Sequence, residues 1–112
     1  MSNETMINFQ QRLNAPPEKI QEFCQHWSIV ELAVFGSILR EDFDSDSDID
    51  FMVSFVPQSK ITFFDLEAME KQLSELCDRP IDIVTKKAIL NSHNWIRRRN
   101  ILERSKVIYE QR

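Results

Sequence analysis

Glycine is unusually scarce in this chain. The 112-residue sequence contains one, Gly36, where an average composition near 7% would give about eight. A GxxxxGK[ST] phosphate loop needs two glycines, and a GxGxxG dinucleotide fingerprint needs three. Both kinds of nucleotide site are therefore excluded, and so are collagen-like and Gly/Ser-linker segments.

Cysteine, positive charge and apolar runs are also limited. Cys24 and Cys77 lie far apart without metal-ligand spacing, and each falls on an apolar helical stripe, so we expect buried free thiols in a reducing cytoplasm. Lys and Arg total 14 against 18 Asp and Glu, for a net charge of −4, which argues against a dedicated DNA-binding protein. No apolar run approaches the roughly 18 residues of a membrane span, and residues 1–5 do not resemble a signal peptide.

Length and apolar periodicity predict a single α/β (α+β) domain with a small sheet. Residues 1–13 carry only a weak pattern. Helices are predicted over 16–27, 62–78 and 89–103, and strands over Ile29–Phe35, Ile49–Phe55 and Ile81–Thr85. Residues 107–109 favour a fourth short strand over a final helical turn.

Six carboxylates are concentrated between residues 41 and 50. They are Glu41, Asp42, Asp44, Asp46, Asp48 and Asp50. A calcium loop of the EF-hand type needs Gly at its sixth position and Glu at its twelfth. Counted from Asp44, these positions hold Ile49 and Phe55, and the starts at Asp42 and Asp46 also fail. The first four acids are therefore interpreted as a solvated acidic loop.

The last two acids of this group, Asp48 and Asp50, stand at the start of the strand over Ile49–Phe55. Side chains repeat every two residues along a strand, so the two carboxylates should project from one face. Asp82, in the third strand, points to the same side if its apolar neighbours face the core. Carboxylate oxygens are the ligands that Mg²⁺ takes in proteins, usually together with water and substrate phosphates. The three acids therefore predict a metal site.

Gly36 and Ser37 end the first predicted strand. A glycine lets the backbone approach a ligand without an intervening Cβ, and Ser37 offers a hydroxyl and, if a short helix begins there, backbone N–H groups suited to phosphate. A Gly-Ser pair alone is not specific. When ten residues and then Asp48-x-Asp50 follow it, the pattern has four fixed positions and is a much more specific signal.

The stretch FGSILREDFDSDSDID, residues 35–50, resembles the GS-x10-DxD signature of the polymerase-β-like nucleotidyltransferase superfamily, and the short chain resembles its minimal members, the MNT proteins. Asp82, in RPIDIVT, matches the family's later strand-borne carboxylate. The resemblance covers about residues 16–109 and implies a polymerase-β-like nucleotidyltransferase fold, a small mixed sheet flanked by helices, in one domain over 1–112. Many adenylylating relatives carry a glycine soon after the arginine of the motif, whereas a glutamate follows Arg40. Two roles for Arg40 therefore stay open: it steadies a phosphate, or it balances the charge of the surrounding acids.

The resemblance also implies a mechanism with Mg²⁺ as cofactor and ATP as substrate. Asp48 and Asp50 would hold two Mg²⁺ ions, and Gly36 and Ser37 would seat the β- and γ-phosphates. Asp82 would complete the metal site and help to deprotonate a hydroxyl that attacks the α-phosphorus and expels pyrophosphate.

Within the superfamily, the chain resembles the antitoxins encoded beside HEPN-domain ribonucleases. This implies that it transfers AMP to a tyrosine of a partner HEPN toxin and so neutralises it. Two alternatives are an antitoxin that acts by binding and occlusion alone, and a small-molecule nucleotidyltransferase of the aminoglycoside-modifying kind. The retained acids favour catalysis over occlusion, and the short chain disfavours a small-molecule enzyme. The run Arg97-Arg98-Arg99 could touch RNA or an acidic partner. Because three neighbouring residues spread over most of a helical turn, we favour a solvated face that partly docks the partner.

Overall fold

The structure is a computed structural model that describes residues 9–111, with side chains from residue 11 onward. It contains five α-helices, α1 (Phe9–Leu13), α2 (Pro17–His26), α3 (Phe63–Cys77), α4 (Lys86–Leu90) and α5 (Trp95–Arg104). Four strands are present in this part of the chain, β1 (Ile29–Phe35), β2 (Ile49–Phe55), β3 (Ile81–Thr85) and β4 (Lys106–Glu110). A short 3₁₀ turn, Gly36–Leu39, follows β1.

Most of the predicted elements are confirmed. The first three strands have the predicted bounds, the tail forms a strand, and the predicted helices over 16–27 and 62–78 correspond to α2 and α3. Thr62 and Asp65 form the expected capping box at the start of α3, each side chain accepting a hydrogen bond from the other residue's backbone N–H. The weakly patterned region includes α1, and residues 1–8 lie outside the described part, so a domain spanning 1–112 stays a prediction.

The single helix predicted over 89–103 is wrong, because α4 and α5 are separate helices. The Thr85 hydroxyl accepts from the Ala88 N–H and starts α4 earlier than predicted. The Asn94 side chain accepts from the Arg97 N–H and starts α5. Short polar side chains of this kind compete with the helical backbone for hydrogen bonds and favour caps and turns. The polar segment 91–94 therefore divides the helix, although the apolar period continues through it.

The strands form one mixed sheet in the order β3-β2-β1-β4. β1 is antiparallel to both β2 and β4, whereas β2 and β3 are parallel. The prediction of a small mixed sheet is confirmed. The register places Asp50 opposite Phe35 on one side and opposite Asp82 on the other.

Helices cover both faces of this sheet. The larger core cluster combines inward-facing residues of β1, β2 and β3 with residues of α2 and α3; among its fully buried members are Leu32, Val34, Phe51, Val53, Met69 and Leu73. A smaller cluster on the other face joins the sheet to α4 and α5 and comprises Ala33, Phe35, Met52, Ile89 and Ile101. Because strand side chains alternate, Asp50 shares the face of Met52 and therefore lies at the end of the smaller cluster.

Cys24 and Cys77 are buried free thiols, as predicted. Burial raises the pKa of Cys24 to about 12 and that of Cys77 to about 11. Both are therefore unreactive thiols near neutral pH. None of the helices within residues 9–111 is long and apolar enough to cross a membrane.

Candidate active site at the Gly-Ser turn

The candidate site begins where β1 ends and the chain turns at Gly36. The backbone there has φ +79°, in the left-handed region that side chains with a Cβ adopt at a cost. A Cβ built on Gly36 would overlap the Oδ2 atom of Asp50. The backbone conformation therefore requires glycine, and any side chain at this position would also displace the Asp50 carboxylate.

Ser37 connects this turn to the start of β2. Its hydroxyl donates a hydrogen bond to the Asp48 carbonyl oxygen over 3.2 Å, and the Arg40 N–H closes the turn on the Ser37 carbonyl oxygen at 2.9 Å. The two halves of the GS-x10-DxD motif are thus in direct contact. The long spacing in the sequence becomes a single compact site in the fold.

The three predicted acids converge at this end of the sheet. The parallel register pairs Asp50 with Asp82, and Asp48 lies two residues before Asp50. The pKa of Asp50 is raised, first by burial and then by the negative charges of Asp82 and Asp48, while Arg40 and Arg97 act in the opposite direction. Asp50 is half-buried, and Asp48 and Asp82 are exposed. The site therefore concentrates negative charge around one partly desolvated carboxylate.

These acids fit a hard cation that binds together with a nucleotide. Within residues 9–111, no group of three or more His, Cys, Asp or Glu side chains is arranged to hold a metal ion unaided. Mg²⁺, however, is usually bound by one or two carboxylates with water and substrate phosphates. Burial and then the repulsion from Asp82 and Asp48 raise the pKa of Asp50, and a cation among the carboxylates would stabilise its charged form.

Arg40 and the acidic loop lie beside these carboxylates. The Arg40 Nε atom pairs with Asp42 Oδ1 at 3.2 Å, so in this structure it balances an acid of the loop. The four acids interpreted as a solvated loop, Glu41, Asp42, Asp44 and Asp46, are all exposed, which confirms that part of the prediction.

Two arginines near the site were not predicted. Arg97, from the run on α5, partly offsets the rise in the pKa of Asp50, although sequence analysis interpreted the run as a solvated face that partly docks a partner. Arg79, between α3 and β3, donates to backbone carbonyl groups of the acidic loop. No local pattern identifies either residue, because both act across the fold on groups far away in the sequence.

A Gly-Ser turn packed against strand-borne carboxylates, on a mixed sheet with helices on both faces, defines a domain of the nucleotidyltransferase class. Residues 17–108 match the family model of the nucleotidyltransferase domain, so the chain belongs to this family. The resemblance noted from the sequence is confirmed.

Several curated proteins are similar in sequence. One from Methanocaldococcus jannaschii, provisionally named a protein adenylyltransferase, is 29% identical over 73 residues, which cover 65% of this chain and 72% of the relative. A second from the same organism, with the same provisional name, is 30% identical over 69 residues, covering 62% and 68%.

Solved structures share the fold. A protein provisionally described as a minimal nucleotidyltransferase superposes with a TM-score of 0.62 at 26% identity, over 80% of this chain and 86% of that chain. A chain from a toxin–antitoxin crystal structure with AMP-PNP gives 0.66 at 16% identity, over 86% and 74%. A chain from the complex of a tri-AMPylated Shewanella oneidensis HEPN toxin with its MNT antitoxin gives 0.55 at 16% identity, over 92% and 73%. The predicted polymerase-β-like fold is confirmed.

Proposed function

We propose that this chain is an antitoxin nucleotidyltransferase, which transfers AMP from ATP to a tyrosine of a partner HEPN ribonuclease toxin and thereby neutralises it. The observation that carries the proposal is the convergence of Asp48, Asp50 and Asp82 at the Gly36 turn. The provisional names of the sequence relatives and the MNT–HEPN complex among the structural neighbours support the same reaction.

The transfer is an in-line substitution at the α-phosphorus of ATP. The tyrosine hydroxyl oxygen forms the new P–O bond, the bond to the β-phosphate breaks, and pyrophosphate leaves with the electron pair. Asp82 is exposed at the edge of the acid cluster and accepts the hydroxyl proton as general base. Gly36 and Ser37 bind the β- and γ-phosphates. Arg40, at the end of the same turn, would have to leave its pair with Asp42 to steady a phosphate.

Asp48 and Asp50 would hold Mg²⁺, with Asp82 contributing on the acceptor side. When bound, the metal neutralises the triphosphate and stabilises the charge that develops in the transition state. The chain's own contribution is to hold the carboxylates in register. β2 supplies Asp50, β3 supplies Asp82 directly beside it, and the Ser37 hydrogen bond holds the backbone of Asp48.

The test is to incubate the chain with ATP, Mg²⁺ and the product of the neighbouring gene, which this proposal expects to be a HEPN-domain protein, and to measure the intact mass of that protein. We expect mass increments of AMP and loss of its ribonuclease activity. The double variant Asp48→Asn/Asp50→Asn should abolish labelling. Glu41→Gln/Asp46→Asn removes the same number of charges from the exposed loop and should retain it.

Occlusion alone is the competing outcome of this experiment. If the HEPN protein is silenced by binding but gains no mass, the enzymatic proposal is wrong and the chain is a non-catalytic antitoxin. If Asp48→Asn/Asp50→Asn still labels the partner, the chain is an enzyme but these two acids do not form its metal site.

A further inference from the structure

Phe43, in the acidic loop between β1 and β2, contacts two arginines from distant parts of the chain. The guanidinium carbon of Arg79 lies 4.2 Å from the ring centroid, and that of Arg12 lies 4.9 Å from it. Both distances are within the range of cation–π attraction. The Phe43 ring is half-buried and packs against the main core cluster, so it offers the two arginines a fixed surface.

The same two arginines bind the backbone at both ends of the loop. Arg12 Nη1 donates to the Ile38 carbonyl oxygen at 2.9 Å and also to the Arg40 carbonyl oxygen. Arg79 Nη1 donates to the carbonyl oxygens of Asp44 and Ser47 at 2.8 and 2.7 Å. Phe43 lies between these two attachment points in the sequence. The arginines and the ring together form what we call the Phe43 clamp (Arg12, Phe43 and Arg79).

Arg79 is itself held in place by the end of α3. Asp78 adopts a left-handed conformation with φ 56° and ends the helix. The Arg79 N–H then donates to the Ser74 carbonyl oxygen at 3.3 Å, and the Ser74 hydroxyl donates to the Arg79 carbonyl oxygen at 2.7 Å. The arginine that binds the loop is therefore anchored on the end of α3, whose Leu73 and Cys77 belong to the main core cluster.

The like charges of the loop oppose its order, and apart from the two arginines it is held by the Asp44–Ser47 turn and by the Arg40–Asp42 pair. Glu41, Asp42, Asp44, Asp46 and Asp48 follow one another within eight positions, and like charges at this density repel. Ser47, the last residue bound by Arg79, directly precedes Asp48. The backbone of Asp48 is therefore held by Arg79 on one side and by the Ser37 hydroxyl on the other.

We propose that Arg79 and Arg12, stacked on Phe43, are positioning residues that order the acidic loop and so hold Asp48 in place for the nucleotide and its cation. The inference rests on the proposed function, because it assigns these residues a role in the same site. They reach the site only through the loop backbone, and they touch none of the three candidate acids by a hydrogen bond in the structure of residues 9–111.

The test compares variants of the full chain in two measurements that need no acceptor protein. The variants are Arg79→Met, Arg79→Lys, Arg12→Met, Phe43→Leu, Phe43→Tyr and Lys71→Met. Lys71→Met is the matched control, because it removes one cation from an exposed position of α3. The first measurement is amide hydrogen exchange of residues 44–48, and the second is calorimetric binding of ATP with Mn²⁺.

Arg79→Met and Phe43→Leu should speed exchange in the loop and weaken binding of ATP with Mn²⁺ by about tenfold. In these variants the loop must become ordered when the nucleotide binds, and this ordering lowers the affinity. Arg12→Met should act in the same direction. Arg79→Lys should resemble Arg79→Met, because an ammonium group lacks the planar fork and the stacking surface of a guanidinium. Phe43→Tyr keeps the ring and should behave like the wild type, as should Lys71→Met.

Two results would overturn the inference. Unchanged exchange in Arg79→Met and Phe43→Leu would mean that the clamp does not order the loop. Faster exchange with unchanged binding would mean that the site does not depend on that order. If the wild-type chain itself fails to bind ATP with Mn²⁺, the proposed function fails first. Circular dichroism identifies a variant that does not fold, and the Phe43→Leu and Phe43→Tyr pair then decides.

Discussion

At the scale of single residues, Asp50 is the most constrained side chain of the candidate site. Its carboxylate fills the space that a Cβ on Gly36 would need, and it stands directly beside Asp82. Partial burial and two neighbouring acids raise its pKa. The site therefore stores an electrostatic cost in the folded protein that a bound cation would remove.

Gly36→Ala should test the contact between the turn and Asp50. The new Cβ meets a left-handed backbone and the Asp50 carboxylate, so we expect unfolding free energy to fall by about 1–2 kcal/mol and AMP transfer to be lost. The checks are thermal unfolding and the labelling assay. Adding Asp50→Ala removes the overlap and should restore part of the stability; a fully active Gly36→Ala chain would contradict the interpretation.

The raised pKa of Asp50 also predicts a pH-dependent stability. Because the folded state binds this proton more tightly than the unfolded chain, the free energy of unfolding falls as pH rises from the ordinary carboxyl range through the raised pKa of Asp50. Asp50→Asn should therefore be more stable than the wild type at pH 7, and the difference should shrink as the pH is lowered toward 4. Denaturant unfolding at several pH values measures this. An Asp50→Asn variant that is less stable than the wild type at pH 7 would contradict the predicted direction of this change in stability.

At the scale of elements, the division between α4 and α5 determines which residues lie on the sheet face that carries the smaller core cluster. α5 packs on that face through Ile101 and brings Arg97 close enough to Asp50 for their charges to interact. The division is held by local hydrogen bonds. Asn94 caps α5, and Arg98 Nη1 donates to the Ser92 carbonyl oxygen at 2.6 Å.

Asn94→Ala should measure how strongly the cap defines this division. Loss of a side-chain cap costs about 0.5–2 kcal/mol of unfolding free energy, and the first turn of α5, which carries Arg97, should fray. Asn100→Ala is the control, because Asn100 is exposed inside the same helix, where alanine is the better helix former. Chemical denaturation of both variants checks the prediction, and equal stability of the two would show that the cap contributes nothing.

At the scale of the whole molecule, charge is strongly segregated. Seven of the 14 lysines and arginines, but one of the 18 acidic residues, lie within residues 86–106, which include α4 and α5. The remainder of the chain is acidic, although the net charge of −4 conceals this. Leu90, Trp95 and Ile96 expose more than half of their side-chain surface in the same region. The interpretation of the arginine run as partner binding stays a prediction, and this distribution is consistent with it.

The corresponding experiment measures the apparent KM for the HEPN protein. Trp95→Ala should raise it by about tenfold, or about 1.4 kcal/mol, if Trp95 is one of the aromatic hot-spot residues of the interface, and added salt should weaken association. Phe64→Ala is the matched control: Phe64 is 79% exposed against 58% for Trp95, but it lies at the start of α3, which follows the opposite end of β2 from Asp50. Equal effects of the two variants would argue against this face.

The strands, the Gly-Ser turn and the acid pair at the start of β2 could all be predicted from the sequence. Strand periodicity and chain punctuation are local, and they gave the bounds of β1, β2 and β3 directly. The fold was needed to show that Asp82 pairs with Asp50, that Gly36 lies against a carboxylate and that Arg79 and Arg97 act on the site. These relations depend on strand order, on the break after α4 and on contacts between residues far apart in the chain, and no local pattern records them.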